Sequence, residues 1–174
     1  MSVALQPVAV EAKGVLRELL NLYLYELSHL AGSDPNEHGR FEYRWLDHYW
    51  TESDRHAYFI DHDGARAGFV LVNAHTATDA EHAIAEFFVL KRHRRAGVGA
   101  RAAALAFDAH PGEWEVCTDV ENARAARFWR ATIARYTGDT YVEHPDGIGD
   151  WTGPCFTFRV DLPPRAHAPY GARA

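Results

Sequence analysis

The sequence predicts a mixed α/β fold: a central, mostly antiparallel sheet with helices on both faces. Three observations predict it. Ile84-Ala85-Glu86-Phe87-Phe88-Val89-Leu90 is an apolar run with a single carboxylate, and a glycine turn and an alanine-rich segment to Ala109 follow it. That order reads as buried strand, turn and helix. Two apolar runs, Ala57 to Ile60 and Arg66 to Asn73, flank Asp61-His62-Asp63-Gly64, which reads as a hairpin. Glu11 to Leu30 carries Leu16, Leu19, Leu20, Tyr23, Leu24, Leu27 and Leu30 along one stripe, the pattern of an amphipathic helix.

The remaining elements follow in chain order. Val8-Ala9-Val10 reads as a short edge strand ahead of the first helix. Gly32-Ser33-Asp34-Pro35-Asn36 breaks that helix. Asp34, Glu37 and His38 after the break read as a solvated loop, because no second ligand cluster stands at metal-site spacing. Phe41, Trp45 and Tyr49 recur every four residues and predict a short helix buried on the sheet. With Tyr43 and Trp50 the segment carries aromatics on more than one face, which leaves a substrate-facing role open for some of them.

The hairpin and the Glu86 strand form a three-strand meander feeding a helix, the order of an antiparallel sheet edge joined to a central strand. Val98, Ala102, Leu105, Ala106 and Ala109 share one face of that helix, and Pro111-Gly112 stops it. Glu113 to Thr118 reads as a strand. Glu121 to Ala134 reads as a helix with Ala125, Trp129 and Ile133 in line and Asp119 as candidate N-cap. Tyr136 to Val142 and Cys155 to Val160 read as the last strands, joined by a long loop, Glu143 to Pro154. Residues 1–162 read as one domain, and the Pro/Ala/Arg tail, 163–174, as poorly ordered.

Composition narrows the function. The chain of 174 residues is 47% hydrophobic and 24% charged, ordinary for a globular domain. A net charge of −6 argues against a nucleic-acid partner. No apolar run approaches membrane-spanning length and no secretory leader is visible. Cys117 and Cys155 are too few for a disulfide framework, so Cys117 reads as a small core residue. The expected location is cytoplasmic, with neither membrane nor nucleic acid as partner; a homodimer is compatible with the sequence.

Lys91-Arg92-His93-Arg94-Arg95 and Ala96-Gly97-Val98-Gly99-Ala100 lie at a helix start, where the first N–H groups have no acceptor inside the helix and sit at the positive end of its dipole. Glycines let a phosphate approach the backbone, and Arg94 and Arg95 can add charge-assisted bonds. The third glycine of a dinucleotide fingerprint is missing, and so is the Gly-Lys-Ser/Thr of a P-loop.

Arg94-Arg95-Ala96-Gly97-Val98-Gly99 resembles the acyl-CoA pyrophosphate loop, Arg/Gln-x-x-Gly-x-Gly/Ala, of the GNAT N-acetyltransferases. Asn122-x-x-Ala125-x-x-Phe128-Trp129 is similar to that family's Asn-x-x-Ala-x-x-aliphatic/aromatic-Tyr at the start of its fourth helix. The likeness covers roughly Val8 to Val160. It implies a sheet splayed after the Glu86 strand, acetyl-CoA as co-substrate with no metal, and transfer to a primary amine of a small-molecule acceptor. It implies cofactor contacts by Val89, Arg94, Arg95, Ala96, Gly97, Val98, Gly99, Ala100, Asn122 and Trp129, with backbone N–H groups near Val89 polarising the thioester. The family's general-acid tyrosine is replaced by Trp129, whose indole cannot give up a proton at neutral pH. That departure keeps a second reading open, a non-catalytic acyl-CoA-binding module.

Glu86 is the candidate general base. An acid inside an apolar strand must be paired, hydrated or shifted in pKa. The alternative is a structural acid facing solvent or an arginine. Glu81 and His82 are weaker candidates at the start of the same strand. Asn122 reads either as a cofactor contact or as a helix cap.

Overall fold

The computed structural model describes residues 2–161; the expected tail at 163–174 lies outside them. Seven strands form one sheet in the order β1-β2-β3-β4-β5-β7-β6. They are β1 Val3–Pro7, β2 His56–His62, β3 Ala65–Asn73, β4 His82–Val89, β5 Gly112–Cys117, β6 Val142–His144 and β7 Cys155–Val160. Three α-helices, α1 Lys13–Ala31, α2 Val98–Ala109 and α3 Ala123–Thr137, pack on it. All neighbouring strands run antiparallel except β4 and β5.

Alternation along the strands sorts the apolar residues into two cores. Phe87 and Val89 of β4 face α2 and α3, joining Val98, Phe107, Trp114, Trp129, Ile133 and Phe156. Phe88 faces the other way, toward Leu16, Leu19 and Leu20 of α1 and Leu46 and Tyr49. Glu86, two residues before Phe88, therefore points to the α1 face. Helices do cover both faces, as the sequence predicts. The β2–β3 turn falls at Asp63-Gly64, both with positive φ, the backbone of a tight hairpin.

Several elements differ from the sequence reading. The edge strand is Val3–Pro7; Val8 keeps one bond to the sheet, from its N–H to the Ala57 carbonyl, and Val10–Ala12 is a 3-10 turn. The stretch Phe41 to Trp50 is a loop ending in a 3-10 helix, Leu46–Trp50. The buried pair there is Leu46 and Tyr49, at the i, i+3 spacing of a 3-10 helix, whereas Trp45 is 39% exposed. Aromatic residues are indifferent helix formers, so a four-residue repeat among them was not enough to hold an α-helix. The last helix runs on to Thr137 and ends at Gly138, so the strand expected from Tyr136 shrinks to Val142–His144. Its N-cap is Asn122, whose Oδ1 accepts from Ala125 N at 3.0 Å; Asp119 instead accepts from the N–H of Glu121 at 2.8 Å. In α2 the buried anchor is Phe107, while Ala109 is exposed.

Cys117 and Cys155 stand opposite each other on β5 and β7 and form a disulfide across a Cα–Cα distance of 4.0 Å. This corrects the reading of Cys117 as an unpaired core residue. A separation of 38 residues carries no signal in the sequence; only the strand pairing brings the two together.

Candidate active site

The site is built where the sheet opens. β4 and β5 pair only at His82–Trp114 and Ala83–Glu115, and then part. From Ile84 onward the β5 side of β4 has no strand partner among the described residues. Ala85 is an extra residue opposite the Leu71/Val72 step of β3, a bulge that bends β4 at this point. Beyond it Leu90 N–H donates to the Ala67 carbonyl, so the antiparallel alternation turns the N–H and C=O groups of Val89 and Phe87 away from β3, toward the opening. The Val89 carbonyl is taken by the Arg94 guanidinium; its N–H faces the cleft.

At the C-terminal end of β4 the chain makes a 3-10 turn, Lys91–His93, and enters α2 through Arg94–Gly97. Arg95 and Gly97 have φ of 65° and 74°, so the loop backbone doubles back on itself. The first bond of α2 runs from Arg101 N–H to the Gly97 carbonyl, and no side chain caps the helix. The N–H groups of Val98, Gly99 and Ala100 thus have no acceptor within α2. A Cβ on Gly99 would press the Phe128 ring at 3.2 Å, so glycine is what lets α2 and α3 come together here.

Arg95 and Ala96 are exposed at the loop tip. Arg94 is placed differently from the sequence expectation. Its guanidinium turns inward to the Glu26 carboxylate of α1 at 2.8 Å and lies over the Phe88 ring. It braces the loop against α1 rather than standing free for phosphates.

The α3 residues occupy the opposite wall. Trp129 is 5% exposed and packs edge-on to Phe87 (centroids 5.0 Å) and beside Phe107 and Phe128. Phe128 stacks on Phe87 at 5.7 Å. The Asn122 side-chain oxygen is engaged in the helix cap.

Glu86 lies on the α1 face of the cleft, half-buried. Three tyrosines from separate segments gather around it: Tyr23 of α1, Tyr43 of the following loop and Tyr49 of the 3-10 helix. Burial is the main cause that raises the Glu86 carboxyl to about 7; hydrogen bonds from the Tyr23 and Tyr43 hydroxyls pull the other way. Burial and the neighbouring Glu86 charge push the Tyr23 and Tyr43 hydroxyls well above their usual range, so both stay protonated as donors. Tyr49, raised to about 12 by burial, has its hydroxyl buried without a properly directed partner among the described residues, although Tyr43 and Arg55 come near it.

Arg55 is buried between Tyr49 and the Glu52 carboxylate, with Nε 2.5 Å from Glu52 Oε2. Glu52, Asp54 and His75 gather outside it, with His75 Nε2 3.7 Å from both carboxylates. A cavity of about 390 Å³ opens beside Tyr43, between α1 and the segment from Arg40 to Asp47.

Sequence reasoning thus singled out Glu86 and the loop but not the groups that surround Glu86. Tyr23 read as one more member of the α1 stripe, and Tyr43 and Tyr49 as part of an aromatic segment open to a substrate role. Arg55 carried no signal.

A sheet opened at one parallel pair, with uncapped helix N–H groups at one end of the opening and a shielded carboxylate at the other, is an acyl-transferase architecture. The acetyltransferase (GNAT) family model matches residues 18–132, and the chain belongs to that family. No curated protein matches the sequence. The fold is similar to an acetyltransferase of Thermus thermophilus, with a TM-score of 0.67 at 17% identity over 92% of this chain and 98% of that one. It is also similar to the spermidine N-acetyltransferase of Vibrio cholerae in complex with CoA and spermine, at 0.60 and 11% identity over 91% and 95%. An aminoglycoside acetyltransferase in complex with coenzyme A gives 0.60 at 13% identity, again over 91% and 95%.

Proposed function

We propose that this protein transfers the acetyl group of acetyl-CoA to the primary amine of a small, cationic acceptor, in the cytoplasm. The observation that carries the proposal is the position of Glu86. It stands at the edge where β4 leaves β5, with its carboxyl held near neutrality. A base of that pKa can take a proton at physiological pH and return it to solvent.

The chain's residues fit acetyl-CoA. Val98, Gly99 and Ala100 would offer backbone N–H groups to the pyrophosphate, with Arg95 adding charge and Ala96 and Gly97 leaving room. Phe87 and Val89 would present backbone groups to the amides of the thioester arm, and the Val89 N–H would polarise its carbonyl. Asn122 has an amide nitrogen left for the same arm. Trp129, Phe128 and Phe87 would exclude water from the reacting end. When bound, acetyl-CoA supplies the activated acyl group. Glu86 then removes the proton of the attacking amine, and the thiolate takes its proton from solvent.

Charge supports a cationic acceptor: the net charge is −6. The acceptors named for the two CoA-bound neighbours, spermidine and aminoglycosides, are amines of that kind.

A panel of amines with labelled acetyl-CoA tests the proposal. Label should pass to at least one amine, with CoA thiol released in equal amount. The second reading, a CoA-binding module without turnover, rests on Trp129 at the position of the family's tyrosine. It would show as CoA binding with no transfer to any amine.

A further inference from the structure

We propose that Tyr49 is a specificity residue: its hydroxyl accepts one N–H of the acceptor amine while Glu86 accepts the other. The inference rests on the transfer reading above and adds to it the residue that selects a primary amine.

Tyr49 is 6% exposed, on a 3-10 helix whose Leu46 and Tyr49 are both sunk into the α1-side core. Its ring is packed into that core, and its Oη is buried with Tyr43 and Arg55 near it but with no properly directed hydrogen bond among the described residues. Native interiors rarely leave a buried hydroxyl unpaired. The two neighbouring tyrosines differ from it. Tyr23 and Tyr43 direct their hydroxyls onto Glu86 itself, whereas Tyr49 is within reach of the Glu86 charge without bonding to it. Glu86 and Tyr49 thus place two oxygens on the α1 face of the sheet, one a base and the other a hydroxyl that no properly directed bond holds.

A primary amine matches that pair. As its nitrogen bonds to the thioester carbonyl carbon, the lone pair points at carbon and two N–H bonds remain. One proton passes to the Glu86 carboxylate. The other stays on the nitrogen of the product amide and is the one Tyr49 holds. The C–S bond breaks, and CoA leaves as thiolate and is protonated by solvent. An N-methyl secondary amine has only one N–H. It can serve Glu86 or Tyr49 but not both, and its methyl group meets the packed Tyr49 ring.

The experiment compares wild type with Tyr49→Phe on primary alkylamines, arylalkylamines and diamines and on their N-methyl derivatives. Melting curves and CoA titrations are run on both proteins. Tyr49→Phe should lose roughly tenfold in kcat/KM on the best primary amine, the scale of one hydrogen bond. It should lose little on the N-methyl counterpart, so that selectivity for primary amines narrows. CoA affinity should not change, and melting temperature should hold or rise, because a buried hydroxyl that no properly directed bond holds has been removed. Leu46→Ala controls for loosening of the 3-10 helix and should lower both amines in parallel. If Tyr49→Phe also lowers both in parallel, or neither, Tyr49 does not select the acceptor. Wild type that binds CoA but acetylates no amine overturns the transfer reading itself.

Discussion

On the α2–α3 face of the sheet the residues that meet the cleft are Phe87, Val89, Phe128 and Trp129, with the N–H groups of Val98 to Ala100 at its end. On the α1 face they are Glu86, Tyr23, Tyr43 and Tyr49, backed by Arg55 and Glu52. The first face works through backbone and apolar rings. Its geometry comes from two short contiguous segments, 86–100 and 122–129. The second works through polar side chains contributed by four separate segments. Under the function proposed above, the first face takes the cofactor and the second the acceptor. A backbone site can keep one ligand while side chains on the other wall vary.

The division predicts that changes on the α1 face alter rate and leave CoA binding alone. The largest effect is expected of Glu86→Gln. Loss of a general base should lower turnover by about 100- to 10,000-fold near neutral pH. The loss should shrink at high pH, where the amine deprotonates without help. In wild type, kcat/KM should climb as pH rises through about 7, where Glu86 gives up its proton.

The same group gives a stability signature. Its folded pKa is raised above the ordinary 4.5, so its contribution to stability is full below about 4.5 and is lost as pH climbs through about 7. Glu86→Gln should match wild type in urea at pH 4.5 and exceed it at pH 8, by at most ~3 kcal/mol and less because Glu86 keeps some solvent contact. A variant with full rate across the pH range would make Glu86 a structural acid.

Trp129 sharpens the other side of the comparison. It touches three phenylalanines and is almost fully buried, so Trp129→Ala should cost roughly 3–5 kcal/mol in denaturant unfolding. CoA affinity should fall with it, because Phe87 and Phe128 lose their support. Trp129→Phe should keep most of both. Trp129→Tyr restores the family's residue, and a large gain in rate would show that the protein lacked an acid.

A smaller effect is expected at the loop. Acetyl-CoA at a hundredfold excess over its Kd should stabilise the protein by about 2.7 kcal/mol. Ala96→Glu places a negative charge at the exposed loop tip without changing the fold, and should remove most of that gain while leaving the unliganded melting temperature alone. It is a cleaner probe than a substitution at Gly99, where any Cβ already meets Phe128. Unchanged CoA stabilisation in Ala96→Glu would move the pyrophosphate away from this loop.

What was legible in the sequence follows the same division. The strand, turn and helix from Ile84 to Ala109 could be read because they are contiguous and their glycines and periodicity are local. The Asp63-Gly64 turn was legible for the same reason. The tyrosine box was not, because Tyr23, Tyr43 and Tyr49 are brought to Glu86 by packing, and each has a ready explanation as a core aromatic. Arg94 could be read as basic but not as the partner of Glu26, which lies 68 residues away. The Cys117–Cys155 pair depends on β7 lying beside β5, which no local pattern records. In a reducing cytoplasm those two would stand as adjacent thiols.

The smallest predicted effect is a control for the whole comparison. Gly14 lies in the first turn of α1, and a Cβ there would meet nothing within 4 Å. Gly14→Ala should therefore stabilise the protein by ~0.5–1 kcal/mol, by reducing the freedom of the unfolded chain and favouring the helix. The site is more than two helical turns before Tyr23. If α1 contributes to catalysis only through the placement of Tyr23, the rate and its pH profile should be those of wild type while the melting temperature rises. If the rate falls as the helix start is stiffened, α1 must shift during turnover. The α1 face would then be a moving wall, in contrast to a fixed cofactor face.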